Sequence, residues 1–136
     1  SRSALWARRA YWLPLQLNTT AMNRACEVLI GERDMAPFTS REGGRKHTVR
    51  RIMKAVVWKR GGVVTFDMEA NAFLPQQVRR VVATLIRVGL GKMAVSDFLQ
   101  IAASGEVGKA KLVAPAHGLC LMRVNYSKIG FCYEDI

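Results

Sequence analysis

The residues from Thr48 to Ala70, TVRRIMKAVVWKRGGVVTFDMEA, decide the fold. Alternating residues on both sides of Gly61-Gly62 are typical of strands, and two consecutive glycines readily adopt the positive φ angles of a two-residue turn. The stretch therefore predicts a β-hairpin. The alternation predicts the following faces: Ile52, Lys54, Val56 and Trp58 against Met53, Ala55, Val57 and Lys59 in the first strand, and Val64, Phe66 and Met68 against Thr65, Asp67 and Glu69 in the second.

The N-terminal side of this hairpin predicts a strand and a helix. Residues 4–13, rich in aromatic side chains, favour an extended segment that Pro14 closes. The polar run 17–20 (LNTT) offers a side-chain oxygen as helix N-cap. Apolar residues then follow at helical spacing, and Gly31 is a plausible end of that helix.

The C-terminal side predicts two helices and a last strand. A helix can begin at Pro75, and Ser96 can cap a shorter helix that runs to Ile101. Residues 117–126 favour a final strand. An apolar stripe of period 3.6 supports the first helix: Val78, Val81, Val82, Leu85 and Val88. The predicted order is β-α-β-β-α-α-β, which indicates an α+β fold in one domain, 1–136, with an antiparallel or mixed sheet and helices on one face.

Composition limits the function classes. The chain has 136 residues, is 50% hydrophobic and carries a net charge of +11, so it can form a core, and a polyanionic partner is favoured. Three cysteines without a Cys-x-x-Cys pair indicate thiols in a reducing compartment rather than a disulfide framework, and with the two histidines they show no zinc spacing. No apolar run has the length of a membrane span. The first residue is Ser1, so we expect a fragment, a trimmed chain or a processed product.

The charge excess is concentrated between Arg33 and Arg60, where nine Lys or Arg residues stand against two acidic ones, a net +7. Its centre is a Gly-Gly loop flanked by arginines, within residues 41–46. Such a loop can follow a phosphate backbone, and arginine adds planar hydrogen bonding. The alternative is a solvated charge run. We interpret the stretch as nucleic-acid binding.

Few residues suggest acid–base chemistry. Asp67 and Glu69 share one face of a strand, and we interpret them as its solvated face rather than as a catalytic pair. Asp34 and Asp97 are interpreted as a loop residue and a helix-start residue. The strand-to-helix junction at residues 71–74, one turn before Arg79, is a common place for a site. The alternative is that Phe73 belongs to the core and that Arg79 lies at the surface.

Five segments in register resemble the tRNA pseudouridine synthase A family. That family typically shows Ala-Asn-(Ala/Gly)-Phe-Leu, then Met-Val-Arg, then Val-Gly-x-Gly-Lys. It also shows Leu-x-Gly-Glu-His-Asp-Phe, Thr-x-Arg-x-Ile and Ala-Pro-x-x-Gly-Leu-x-Leu segments. The matching stretches are 29–34 LIGERD, 48–52 TVRRI, 68–74 MEANAFL with Val78-Arg79 and 88–92 VGLGK, and 114–121 APAHGLCL.

The resemblance implies a pseudouridine synthase-like fold and the C-terminal half of an isomerase. Such enzymes convert uridine to pseudouridine in the tRNA anticodon arm without a cofactor. The family's catalytic aspartate lies in an Arg-Thr-Asp segment that this chain lacks, so the chain alone is expected to be inactive. The resemblance implies that Arg79 pairs with that absent aspartate. It implies substrate contacts by Asn71, Phe73, Leu119 and Leu121, and RNA contacts by Arg41, Arg45, Lys46, Arg50, Arg51 and Arg80.

The implied partner is tRNA, held by a cytoplasmic homodimer. No membrane association is expected. The thiols fit a bacterial cytoplasm, and an organelle remains an alternative. The chain departs from the family pattern at Pro75-Gln76-Gln77, at Arg80, where Asn is frequent, and at Met35, where an aromatic residue is usual. These departures leave a second hypothesis: a non-catalytic RNA-binding or structural domain derived from the family. A DNA-binding domain lacks a helix-turn-helix pattern.

Overall fold

The structure is a computed structural model that describes residues 5–12, 16–40, 47–60, 63–114, 119–124 and 129–132. Within these residues the elements are strand β1 (Leu5–Trp12), helix α1 (Thr19–Glu27), strand β2 (Gly31–Asp34), a 3₁₀ turn (Ala36–Phe38), strands β3 (Val49–Arg60) and β4 (Val63–Ala70), helices α2 (Gln77–Gly89) and α3 (Val95–Ala103), and strands β5 (Leu119–Val124) and β6 (Ile129–Cys132).

The strands form one six-stranded sheet in the order β2-β3-β4-β1-β5-β6, and every neighbouring pair is antiparallel. The α+β class with helices on one face is therefore confirmed. The central hairpin is confirmed as well, because Arg60 pairs with Val63 and the register continues along both strands. The predicted order lacked two elements, the short edge strands β2 and β6, which give too little alternating sequence for a prediction.

The face prediction for the first hairpin strand was wrong at Ile52. A β-bulge between Ile52 and Lys54 shifts the register, and an extra residue reverses the side to which the following side chains point. Ile52 therefore shares the helix-covered face with Ala55 and Val57, which lie opposite Met68 and Phe66. In β4 the predicted faces are confirmed.

The helices cover the apolar face of the hairpin. Asn18 caps α1 by accepting a hydrogen bond from the Ala21 N–H at 3.0 Å, as the polar run predicts. The predicted stripe of α2 is buried throughout, and its members are Val78, Val81, Val82, Leu85 and Val88. Side chains from α1, α2, β3 and β4 meet around a small apolar gap lined by residues such as Met22, Phe66 and Leu85.

Four predicted helix boundaries differ from the structure. The helix predicted to begin at Pro75 begins at Gln77, and the one predicted to end at Ile101 ends at Ala103. Helix α1 ends at Glu27, and Gly31, with φ +105°, begins β2 instead of ending the helix. Helix α3 begins at Val95 with Ala94 as its N-cap, and Asp97 Oδ2 accepts from the Ala94 N–H at 3.3 Å. Ser96 lies inside the helix, and Asp97 is a helix-start residue as predicted, whereas Asp34 is the last residue of β2 and not a loop residue. Among the described residues, no helix has the length and apolar character needed to cross a membrane.

The opposite face of the sheet holds a buried carboxylate, which corrects the interpretation of Asp67 as solvated. Asp67 is 3% exposed. Its carboxylate accepts from Arg8 Nε at 2.5 Å and from Trp58 Nε1 at 3.1 Å. The hydrogen bond to Asp67 raises the pKa of Arg8. Asp67 therefore has a structural partner on each neighbouring strand.

Candidate functional site

The junction from β4 to α2 begins with a clasp between Asn71 and β3. The Asn71 N–H donates to the Arg51 carbonyl at 3.1 Å, and the Asn71 Oδ1 accepts from the Arg51 N–H at 3.0 Å. The side-chain amide thus extends the strand ladder by one residue. Asn71 was predicted to contact substrate, and in this structure its Oδ1 holds the junction onto the sheet.

Two further hydrogen bonds fix the rest of the junction. Gln77 is fully buried, and its Oε1 accepts from the Leu74 N–H at 2.9 Å. Thr39 Oγ1 donates to the Pro75 carbonyl at 2.8 Å. Between them Gln76 adopts a left-handed φ of 63°, which costs free energy for a residue other than glycine. In the sequence, Gln77 is recognisable only as a departure from the family pattern. Its hydrogen bond is to a backbone group, so residue types alone could not predict it.

Arg79 lies on the first turn of α2 and reaches the segment that leads to β5. Its Nε donates to the Ala114 carbonyl at 2.8 Å, and the Ala114 N–H donates to the Arg79 carbonyl at 3.1 Å. Helix α2 and the start of the 114–121 motif are therefore joined at one residue pair.

Arg80 is half-buried on the same turn. Its Nε donates to Gln76 Oε1 at 3.0 Å and its Nη1 to the Ala110 carbonyl at 2.9 Å. Burial lowers the pKa of Arg80, although a guanidinium stays charged at neutral pH. Arg80 also lines an open cavity of about 480 Å³, together with residues that include Lys111 and the Lys109–Glu106 ion pair.

The other predicted substrate contacts lie in two places, the junction between β4 and α2 and strand β5. Phe73 is half-buried and packs against the core, which agrees with the alternative that it is a core residue. Leu119 and Leu121 lie on β5, where their Cα partners on β1 are Ala10 and Arg8.

The predicted RNA contacts other than Arg80 fall into two groups. Arg50 and Arg51 are at the start of β3, and because they are consecutive in a strand they point to opposite faces. Arg51 is exposed, whereas Arg50 is half-buried beside β2. Arg41, Arg45 and Lys46 lie outside the described residues.

The chemistry of this region is cationic. The guanidinium groups of Arg79 and Arg80 can bind and orient an anion or a carboxylate.

The part of the chain that the structure describes holds no group of three or more potential metal ligands. Burial raises the pKa of the Cys26 thiol to about 12, so this thiol is not an activated nucleophile.

A protein-family model described as tRNA pseudouridine synthase matches residues 25–127. The chain is 40% identical over 140 residues to a tRNA pseudouridine synthase A of Roseiflexus castenholzii, which covers 98% of this chain and 50% of that protein. It is 37% identical over 126 residues to the tRNA pseudouridine synthase A of Caldicellulosiruptor bescii, with coverage of 93% and 52%. The Bordetella avium protein of the same name is 34% identical over 128 residues, with coverage of 92% and 47%. The chain thus spans about half the length of the curated relatives it matches.

Proposed function

The chain belongs to the tRNA pseudouridine synthase family, and we propose that it is the C-terminal half of the catalytic region of an enzyme that isomerises uridine in the tRNA anticodon arm. Support comes from the family match over residues 25–127. In the reaction the bond between N1 of uracil and C1′ of ribose breaks. A bond from C5 to C1′ forms, C5 loses its proton to solvent, and N1 takes up a proton in its place. The target base has to leave the stack, which costs a few kcal/mol.

In this proposal Arg79 is the group that holds the catalytic carboxylate of the other half in its ionised form. A carboxylate in a closed site is pushed toward its neutral form, and a guanidinium nearby opposes that shift. The bond from Arg79 Nε to the Ala114 carbonyl fixes one edge of the guanidinium. This orientation supports the proposal, because a guanidinium that is already oriented loses little side-chain entropy when it binds a carboxylate.

The other contacts in the proposal follow the same layout. Phe73 forms the floor of the base pocket and Asn71 holds that floor on the sheet, while Leu119 and Leu121 line the pocket. Phosphates of tRNA are bound by cationic side chains around it: Arg41, Arg45, Lys46, Arg50, Arg51 and Arg80. The half-buried position of Phe73 and the net charge of +11 are consistent with these roles.

The test is release of tritium from tRNA labelled at uridine C5. The longest native form of the protein is expected to release tritium, and Arg79→Ala is expected to reduce the rate at least about 100-fold. The 136-residue chain alone is expected to bind tRNA and release none. Release by this chain alone would refute the assignment of chemistry to the other half. Intact tRNA binding without release by the longest form would favour the non-catalytic RNA-binding domain.

We also propose that the native protein is a cytoplasmic homodimer with tRNA held across both subunits. The support is the family resemblance together with the thiol state expected for a reducing compartment. Light scattering of the longest native form should give twice the protomer mass, and one tRNA should bind per dimer. A monomer that retains full tritium release would contradict the dimer.

A further inference from the structure

The register of the edge of the sheet places two arginines directly opposite each other. Arg33 on β2 pairs with Arg50 on β3. Side chains at such positions have Cβ atoms about 4.5–5.5 Å apart, and like charges there repel. Two positively charged side chains at opposing strand positions repel each other less when an anion binds between them.

Both side chains point to the sheltered side of the sheet. Arg50 is two residues before Ile52, which is 1% exposed, and Arg33 is two residues after Gly31, the strand partner of Ile52. The Nε atoms of Arg33 and Arg50 are buried and have no hydrogen-bond partner in the structure. A buried donor without a partner is costly, so the Nε–H of each arginine lacks the acceptor that would offset this cost.

The acids next to these arginines are directed elsewhere. Glu32 and Asp34 flank Arg33 in β2, so strand alternation turns them to the other face. Asp34 Oδ1 accepts from Thr48 Oγ1 at 2.6 Å and from the Ala36 N–H at 3.0 Å. Among the residues that the structure describes, the ion pairs are Arg8–Asp67 and Lys109–Glu106. The arginine pair thus has no carboxylate partner in that part of the chain.

The Arg50 side chain is also held in position. Arg50 Nη1 donates to the carbonyls of His47 and Val49, both at 2.9 Å. Next along β3, Arg51 is bonded through its backbone to Asn71. The arginine pair therefore lies at the end of the sheet where the candidate junction begins.

We propose that Arg33 and Arg50 form a clamp for one phosphodiester of bound RNA, next to the nucleotide that enters the site. A phosphodiester offers two charged oxygens, and guanidinium groups match such oxygens in planar, paired hydrogen bonds. The inference rests on the proposed function for the identity of the RNA. It gives an individual role to Arg33, which the sequence analysis named only as the start of the basic stretch, and it gives Arg50 a defined partner.

The experiment measures tRNA affinity of the chain by fluorescence anisotropy between 50 and 200 mM salt. Arg33→Gln and Arg24→Gln remove the same charge, and Arg24 is an exposed residue at the end of α1. For Arg33→Gln we expect a dissociation constant about 5–10-fold higher at 100 mM salt and a salt slope smaller by about 1. Arg24→Gln should change the dissociation constant less than about 2-fold. Equal effects of the two variants on affinity and slope would overturn the clamp.

Thermal unfolding of the parent and of Arg33→Gln shows whether the substitution affects folding as well as RNA binding. Adding inorganic phosphate distinguishes a site for RNA from a site for the free anion. Without tRNA, Arg33→Gln should unfold at the same or a higher temperature than the parent, because the substitution removes the repulsion. Inorganic phosphate at constant ionic strength should stabilise the parent more than Arg33→Gln. If phosphate discriminates the two proteins and tRNA does not, the site is for free phosphate and the RNA clamp is wrong.

The tritium-release assay is independent of this result. Arg33-dependent tRNA binding without tritium release by the longest native form would refute the synthase proposal and leave the clamp supported. Tritium release by the longest native form, together with tRNA binding that Arg33→Gln does not change, would support the synthase proposal and refute the clamp.

Discussion

Asn23 of α1 provides the most direct test of how the helices are attached to the sheet. Its Nδ2 donates to the Val57 carbonyl and its Oδ1 accepts from the Val57 N–H, both at 2.8 Å. Strand β2 pairs with β3 only from Val49 to Ile52. Beyond that point the described chain offers no strand on this side of β3, so the Asn23 amide takes the place of a neighbouring strand.

The cost of Asn23→Ala follows from these two bonds. Each is worth about 1 kcal/mol net, and an orphaned buried backbone group costs about 1–3 kcal/mol. Val57 is 2% exposed, so water replaces the lost partners poorly. We therefore expect the free energy of unfolding to fall by about 2–4 kcal/mol. With an unfolding entropy of about 2.1 cal/mol/K per residue, the melting temperature should fall by about 7–14 °C.

The assay is urea unfolding followed by circular dichroism, with Arg24→Ala as the control in the same helix. Arg24 is exposed, so its substitution should cost less than about 0.5 kcal/mol. Asn23→Asp keeps the acceptor for the Val57 N–H but sets a carboxylate against the Val57 carbonyl, so it should be destabilised at neutral pH and partly recovered in acid. If Asn23→Ala is no more costly than Arg24→Ala, the clasp does not hold helix to sheet.

Three further outcomes are expected. Asn71→Ala should lower the free energy of unfolding by about 1 kcal/mol because the Arg51 N–H loses its acceptor, whereas Asn71→Asp should not; equal loss in urea would contradict the clasp. Arg79→Gln keeps a donor for the Ala114 carbonyl but not the charge, so the longest native form should lose tritium release; retained release would contradict its pairing role. Burial raises the pKa of Cys26 from an ordinary 9.0 to about 12. The neutral thiol therefore contributes stability that is complete below about pH 9 and declines as pH rises toward about 12, and iodoacetamide should label Cys26 at pH 8.5 only in denaturant, by peptide mass spectrometry.

Local patterns predicted the parts of the fold whose cause is local. The hairpin around Gly61-Gly62 and the apolar stripe of α2 depend on residues close in sequence, and both are confirmed. The bulge at Ile52 depends on how two strands fit together, so alternation alone assigned the wrong face. Asp67 was misjudged for the same reason, since its partner Arg8 lies 59 positions away.

The sequence indicated where in the chain the candidate site lies, but it indicated few of the contacts within that site. The strand-to-helix junction before Arg79 was singled out from residue types, and the resemblance proposed a role for each side chain there. The structure adds partners that side-chain identity could not indicate, because they are backbone groups. Ala114, Arg51 and Leu74 each contribute a peptide group to a junction side chain.

The departures at Pro75-Gln76-Gln77 therefore have a structural explanation in this chain. Gln77 is fully buried and bonds to the Leu74 N–H, and Gln76 accepts from Arg80. Each divergent glutamine is thus occupied with the chain's own groups, and the turn of α2 that carries Arg79 is fixed by them. A sequence that departs from its family at the approach to a proposed catalytic arginine keeps that arginine in place by other bonds, so these departures do not by themselves argue for loss of activity.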